Sequence, residues 1–107
     1  MSYINWKNTE NKRLIQAILA IKSEDIAKRF LRDLMTTKEI NEFAKRLKAA
    51  EMLMEKVPYT TIEKETCLSS TTIARVAKWL KGKDGGYRTI INKLNHHNSI
   101  QSRRGLS

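Results

Sequence analysis

Residues 60–81 have the sequence TTIEKETCLSSTTIARVAKWLK, which predicts two short helices joined at a sharp corner. Thr60 and Glu63 have the spacing of a capping box, in which a hydroxyl and a carboxylate satisfy free backbone amides at a helix start. Ser69 or Ser70 is expected to cap the second helix. Apolar residues recur along that helix at intervals of three and four, at Ile73, Val76 and Leu80.

The other side of the second helix carries small, hydroxylic or cationic side chains: Ser70, Thr71, Ala74, Arg75 and Lys78. This pattern is typical of a helix-turn-helix, whose second helix enters the major groove of DNA. Only that groove admits a helix and offers base edges that such side chains distinguish. The corner residue, usually a left-handed glycine, is Cys67 here, and the left-handed conformation costs a cysteine about 1 kcal/mol.

The charge of the chain indicates a polyanionic partner. The 107 residues include 21 Lys+Arg against 11 Asp+Glu, which gives a formal net charge of +10. From Thr66 onward the only acidic residue is Asp84, so the positive charge lies on and after the second helix. This placement favours nucleic acid over an anionic membrane, because phosphates would face the same helix.

Several other classes of protein are disfavoured. One cysteine excludes an internal disulfide framework, and no apolar run of about 18 residues exists to span a membrane. The segment MSYINWKNTENK lacks the apolar core of a signal peptide, so a cytoplasmic protein is expected. No histidine or serine is placed for activation by a carboxylate, so we predict no enzyme and no catalytic residue. His96 and His97 lack a third ligand, so no metal site is predicted.

Hydrophobic periodicity predicts six helices and no strand. The six helices are expected to begin in turn near residue 8 or 9, residue 23, residue 36, residue 60, residue 69 or 70, and residue 86. The first helix is expected to end near Lys22, the third near Lys56 and the last near Leu94. Thr36 and Glu39 form a second capping-box pattern, and Asp84 is a candidate cap for the last helix. The predicted organisation is a flexible N-terminus (1–8), a helical domain (9–94) and a disordered basic tail (95–107).

The predicted helices carry more apolar positions than a chain of this size buries. The first helix has a broad apolar stripe, formed by Leu14, Ile15, Ile18, Leu19 and Ile21. A homodimer formed through helices one, two, three and six would cover this surface. Two-fold symmetry would also set two groove-binding helices about one DNA turn apart on a palindrome.

Three segments, one of them within residues 60–81, support a resemblance to a known family: FLRDLMTTKEINEFAKRLKAAEMLMEKVPYTTIEK, LSSTTIARVAKWLK and GGYRTIINKL. Residues 30–94 resemble the tryptophan-repressor (TrpR) superfamily, most closely its TrpR-like YerC/YecD family. The resemblance implies an all-α, six-helix TrpR-like fold with a helix-turn-helix, assembled as an intertwined homodimer. It also implies a transcription factor that binds DNA.

The resemblance assigns roles to individual residues. Hydroxyl and small side chains fall where the second helix meets base edges, and Arg46 and Lys81 fall where phosphate is contacted. The candidate DNA-binding residues are Arg46, Thr60, Ser69, Ser70, Thr71, Thr72, Ala74, Arg75, Lys78 and Lys81.

Arg46 and Arg75 match the two arginines between which L-tryptophan lies in the repressor, so they are also the candidate ligand-binding residues. Bulky Val76 and Trp79 replace the small residues that make room for that ligand, and shape must admit a ligand before charge binds it. L-tryptophan is therefore not expected as a cofactor. We expect either a different small-molecule effector or no effector at all. The two arginines could instead contact phosphate or a glutamate. Trp79 is expected to pack in the core or at a dimer interface.

The sequence therefore predicts a cytoplasmic, dimeric, sequence-specific DNA-binding regulator, a repressor that occupies a palindromic operator. The main alternative is a nonspecific nucleic-acid-binding or architectural protein, which would share the positive charge without needing hydroxyls that face the groove. A membrane-surface helix is disfavoured, because the second helix lacks the broad apolar face that insertion requires.

Overall fold

The computed structural model describes the backbone of residues 3–83 and 85–106, and the side chains of that range as far as His96. Asp84, the candidate helix cap, and the side chain of His97 lie outside the described residues. The described chain has no strand and forms six helices: α1 (Thr9–Leu19), α2 (Glu24–Leu34), α3 (Thr37–Met54), α4 (Tyr59–Thr66), α5 (Ser70–Lys81) and α6 (Gly86–Leu106). The prediction of an all-α, six-helix fold is confirmed.

The chain divides into two compact units, with the boundary inside α3 between Ile40 and Asn41. In the first unit, the Asn8 side chain caps α1 and the Ser23 hydroxyl caps α2. The first helix ends at Leu19, and the predicted end near Lys22 is wrong. The chain has left the helix before Ser23, which takes an extended backbone conformation and caps α2. Neither α1 nor α2 contributes a buried residue.

The predicted capping box of Thr36 and Glu39 is confirmed at the start of α3. One Glu39 carboxylate oxygen accepts hydrogen bonds from the Thr36 amide and hydroxyl, each at 3.0 Å. The Glu39 amide donates in return to the Thr36 hydroxyl at 3.1 Å. These hydrogen bonds to the ionised carboxylate lower the pKa of Glu39 below its ordinary value.

The second unit is organised around two adjacent alanines of α3. Ala49 packs with Ile62, Leu68 and Ile73, and Ala50 packs with Val76 and Ile91. Both alanines are completely buried. Side chains of α4 and α5 pack against α3 at Ala49, and side chains of α5 and α6 pack against it at Ala50. This packing fixes the position of α5, the helix that carries most of the candidate site.

The predicted start of α4 and the predicted end of α3 are wrong. The capping box of Thr60 and Glu63 is absent: α4 begins at Tyr59, and no side chain caps it. Pro58 has the extended conformation of an N-cap, with φ −62° and ψ 147°, so the helix begins before Thr60. The third helix ends at Met54, ahead of Lys56, which has the positive φ of 62° that ends a helix.

The last helix continues to Leu106, so the predicted end near Leu94 is wrong and the backbone of residues 95–106 is helical. This segment contains no proline, and its first glycine is Gly105. Adding a residue to a helix that has already formed costs much less free energy than starting a new helix. Residues that are weak helix formers can therefore be added to its end. The described helices include none that is both long and apolar enough to cross a bilayer.

Candidate nucleic-acid interface

The corner between α4 and α5 is built by Cys67, Leu68 and Ser69. Cys67 has a left-handed conformation, with φ 60° and ψ 19°, and its amide donates to the Glu63 carbonyl at 2.9 Å. Leu68 is buried beneath the corner, against the cluster around Ala49. The sequence therefore located the corner correctly, and a cysteine takes the conformation that glycine usually supplies.

Thr66 fixes this corner from the inside, a role that the sequence analysis missed. Its side chain is only 2% exposed. The hydroxyl donates to the Ile62 carbonyl at 2.7 Å and accepts from the Leu68 amide at 3.2 Å. A hydroxyl at the last position of a helix before a tight corner is the one sequence signal that could have revealed it.

The start of α5 depends on Ser69. The Ser69 hydroxyl accepts a hydrogen bond from the Thr72 amide at 3.1 Å, so Ser69 rather than Ser70 is the N-cap. The same hydroxyl donates to the Thr72 hydroxyl at 3.0 Å. The backbone at the beginning of α5 and the side chain of Thr72 are therefore oriented together.

The two faces of α5 match the sequence prediction. The inner face consists of Ile73, Val76, Ala77 and Leu80, all buried. The predicted outer residues, Ser70, Thr71, Ala74, Arg75 and Lys78, are all exposed. Small and hydroxyl side chains are concentrated in the first half of this outer face, and cations in the second half.

The cations of α5 are unpaired within the described part of the chain. No described carboxylate lies within 4.0 Å of the charged nitrogens of Arg75, Lys78 or Lys81. In α2, by contrast, Lys28 and Arg29 pair with carboxylates four residues earlier. The positive charge of α5 is thus available to an external anion.

The structure brings the two candidate ligand-binding arginines together around a cavity of about 180 Å³. Its lining residues are Arg46, Thr72, Arg75, Val76, Trp79 and Tyr87. We refer to it as the arginine cavity. Its volume is below the roughly 300 Å³ at which ordinary small-molecule sites begin.

Contacts along α3 position Arg46 at this cavity. Its Nε lies 3.7 Å from a Glu42 carboxylate oxygen, and its guanidinium carbon is 5.5 Å from the centre of the Phe43 ring. The Nε is buried and makes no hydrogen bond to any described residue. A buried donor of this kind retains capacity for a further acceptor.

Trp79, which the family resemblance placed at this site, and Tyr87, which the sequence did not predict, complete the cavity. Trp79 is 63% exposed, so the first of its two expected places, the core, is wrong, and packing at a dimer interface stays a prediction. The reason is geometric: Val76 and Leu80 occupy the inner face, and Trp79 lies beside them at the cavity rim. Tyr87 comes from α6 and gave no signal, because nothing local links it to Arg46.

Thr60 and Lys81 stand outside the arginine cavity. Thr60 is exposed in the first turn of α4, and Lys81 is exposed at the end of α5. Seven of the ten candidate DNA-binding residues lie between Ser69 and Lys78, and all of these except the half-buried Thr72 are exposed. We call Ser69, Ser70, Thr71, Thr72, Ala74, Arg75 and Lys78 the α5 outer face.

Known proteins resemble this chain over most of its length. The family model described as Trp repressor protein matches residues 9–95. The uncharacterized protein YerC of Bacillus subtilis (strain 168) is 35% identical over 88 residues, which cover 82% of this chain and 85% of YerC.

Two solved structures are also similar. A TrpR-like protein from Eubacterium eligens ATCC 27750 is 34% identical, with a TM-score of 0.79 over 84% of this chain and 93% of its own. A Staphylococcus aureus protein provisionally described as a Trp repressor is 29% identical, with a TM-score of 0.78 over 87% of this chain and 96% of its own.

Proposed function

This chain belongs to the Trp repressor family, and we propose that it is a DNA-binding regulator of transcription. In detail, we propose a cytoplasmic, non-enzymatic repressor that occupies a palindromic operator as a homodimer. The observation that carries the proposal is the α5 outer face, where exposed hydroxyls adjoin unpaired cations on one rigid helix.

The first half of the α5 outer face is suited to recognising bases. Ser70, Thr71 and Thr72 carry hydroxyls that both donate and accept, so they match either kind of group on a base edge. Ala74 adds a small apolar surface that suits the methyl group of thymine. The cap at Ser69 fixes the beginning of α5, which is the part of a recognition helix that reaches deepest into the groove.

The cations fit a role in binding phosphates. Arg75, Lys78 and Lys81 follow the hydroxyls along α5, where the DNA backbone would pass beside the helix. The Arg46 side chain is 35% exposed, and Thr60 lies in the uncapped first turn of α4, whose free amides favour an anion. These groups would fix the register of the protein on DNA.

Exposed apolar side chains support the proposed homodimer. The first unit leaves large apolar residues in solvent, namely Leu14, Ile15, Ile18, Leu19, Ile26 and Leu34. Burial of apolar surface stabilises by about 25 cal/mol per Å², so a second copy that covers these helices would lower the free energy substantially. A two-fold dimer would also present two copies of α5 to a palindrome.

We further propose that L-tryptophan is not the effector. Val76 is buried and Trp79 lines the arginine cavity, which leaves about 180 Å³ beside Arg46 and Arg75. A smaller anion would suit the two guanidinium groups better, because each offers several donors in a fixed plane. Calorimetry with L-tryptophan is expected to show no saturable heat.

A nonspecific nucleic-acid-binding or architectural role is the second candidate. The net charge of +10 favours it, since neutralisation of phosphates supplies affinity for any sequence. This role would not require a capped helix that presents ordered hydroxyls.

Selection of bound sequences from a random pool of duplex DNA separates the two candidates. We expect a symmetric enriched motif, which would support both base recognition and a two-fold dimer. Enrichment of no motif, with strong binding to the whole pool, would instead favour the nonspecific role.

A further inference from the structure

A second cavity lies in the same unit and shares no lining residue with the arginine cavity. It is bounded by the end of α3, the start of α4, the last turn of α5 and the start of α6. Its volume is about 370 Å³, within the roughly 300–1,000 Å³ range of small-molecule sites. We call it the α3–α5 cavity.

The inner surface of the α3–α5 cavity is apolar. Ala77 and Leu80, both buried, form part of it from α5. Leu53, Met54 and Val57 add half-buried apolar walls. An apolar ring or short chain would therefore displace water from hydrocarbon surface here, which is favourable at about 25 cal/mol per Å².

Cations surround this apolar surface. Lys56, Lys81 and Arg88 line the cavity and are all exposed, and no described lining residue is acidic. Arg88 reaches the Leu80 carbonyl with one Nη at 3.5 Å, which leaves its other donors free. The backbone of Lys56 is fixed, because its amide donates to the Leu53 carbonyl at 3.0 Å.

The helix ends beside the cavity roughly cancel one another. The C-terminal ends of α3 and α5 lie here, and each contributes roughly −0.5 of a charge. The N-terminal ends of α4, beside Tyr59, and of α6, beside Arg88, each contribute roughly +0.5. The three full positive charges therefore determine the sign of the potential, and an anion is favoured at the rim.

We propose that the α3–α5 cavity binds a small amphipathic organic anion, with its apolar body between α3 and α5 and its carboxylate at Lys56, Lys81 and Arg88. Neither an inorganic anion nor a neutral apolar molecule would use both features. The inference does not depend on DNA binding and is tested without DNA. If the three cations serve only to complement helix C-termini, the cavity will not prefer an amphipathic anion to a neutral apolar molecule.

The test is a titration of the full-length chain with 2-naphthoate, followed by amide chemical shifts in two-dimensional NMR spectra. We expect saturable shifts at the amides of Val57, Ala77 and Leu80. The neutral analogue 2-naphthalenemethanol should bind about ten-fold more weakly, because it lacks the charge. Inorganic phosphate should produce no saturation in the concentration range where naphthoate does.

Two variants test the rim and one serves as a control. Arg88→Gln and Lys56→Gln should each weaken naphthoate binding about three- to ten-fold, the loss of one charge-assisted hydrogen bond. Lys93→Gln, which removes a cation from the same helix as Arg88 outside the cavity, should not change it. Equal affinity for 2-naphthoate and 2-naphthalenemethanol would overturn the proposal, as would chemical-shift changes confined to the amides of α1. So would unchanged binding by both rim variants.

Discussion

Ser69 binds Thr72 twice, once through the Thr72 amide at 3.1 Å and once through the Thr72 hydroxyl at 3.0 Å. The first hydrogen bond caps α5, and the second restricts the rotation of the Thr72 side chain. A hydroxyl that is already oriented loses less entropy when it meets a base edge. The same serine therefore stabilises the helix and prepares one of its candidate contacts.

Thr72→Ala is expected to lower sequence discrimination. Loss of the hydroxyl should reduce the preference for the correct base pair at one position by roughly 1–3 kcal/mol, while the backbone cap at Ser69 remains. Binding to the selected sequence and to its single-base variants would be measured by fluorescence anisotropy. Thr72→Ser keeps the hydroxyl and should retain most of the preference. Equal losses on selected and random DNA would show that Thr72 does not recognise a base.

Lys81→Ala should weaken binding to every sequence alike. Lys81 is exposed at the end of α5 and forms no ion pair with a described residue, so its proposed role is to neutralise one phosphate. The slope of log affinity against log salt should decrease in magnitude by about one. Lys22→Ala, a change of equal charge on the first unit, is the control. A change of specificity without a change of salt slope would contradict this role.

Cys67→Gly should stabilise the folded chain. Cys67 has φ 60°, where a side chain costs roughly 1–2 kcal/mol, whereas the greater freedom of glycine in the unfolded chain costs roughly 0.4–1 kcal/mol. The net gain in the free energy of unfolding should be about 0.5–1 kcal/mol, measured by urea denaturation. Cys67→Ala retains Cβ and should show no such gain. A less stable glycine variant would mean that the corner is not strained.

Leu19→Glu should weaken self-association. Leu19 is 69% exposed in the single chain, so the substitution removes no intrachain core contact. If a second copy covers α1, a buried carboxylate should raise the dimer dissociation constant by at least about ten-fold. Sedimentation equilibrium would measure this, with circular dichroism to verify the helices. Arg13→Glu, about 120° around α1 from Leu19 by the 100° spacing of a helix, should have a much smaller effect.

The Thr36–Glu39 capping box predicts a pH dependence of stability. Since the pKa of Glu39 is lowered in the folded chain, its ionised form is favoured there and stabilises the fold above the ordinary carboxyl pKa. That contribution should be lost as the pH falls through the lowered pKa. Chemical denaturation of the wild type and of Glu39→Gln should show a stability difference that is constant near neutral pH and declines below about pH 4.5. A difference that grows on acidification would contradict the assignment.

Local spacing in the sequence was enough to predict much of the helix pair. The corner at Cys67, a serine cap and the inner residues Ile73, Val76 and Leu80 depend on groups within four positions of each other. Thr60 shows the limit of the same reasoning. Its capping box was a valid pattern, but Pro58 supplied an extended backbone two residues earlier and moved the helix start.

Periodicity and caps along the sequence determined that this chain is helical and which side of α5 meets solvent, because those properties arise between neighbours on one helix. Only the tertiary structure decided that Tyr87 joins Arg46 and Arg75 around one small cavity, and that Lys56, Lys81 and Arg88 surround another. These residues come from different helices, and their separations follow from the side-chain clusters that join those helices around Ala49 and Ala50. No spacing along the chain encodes such a distance, since it results from the fit of side chains distant in sequence.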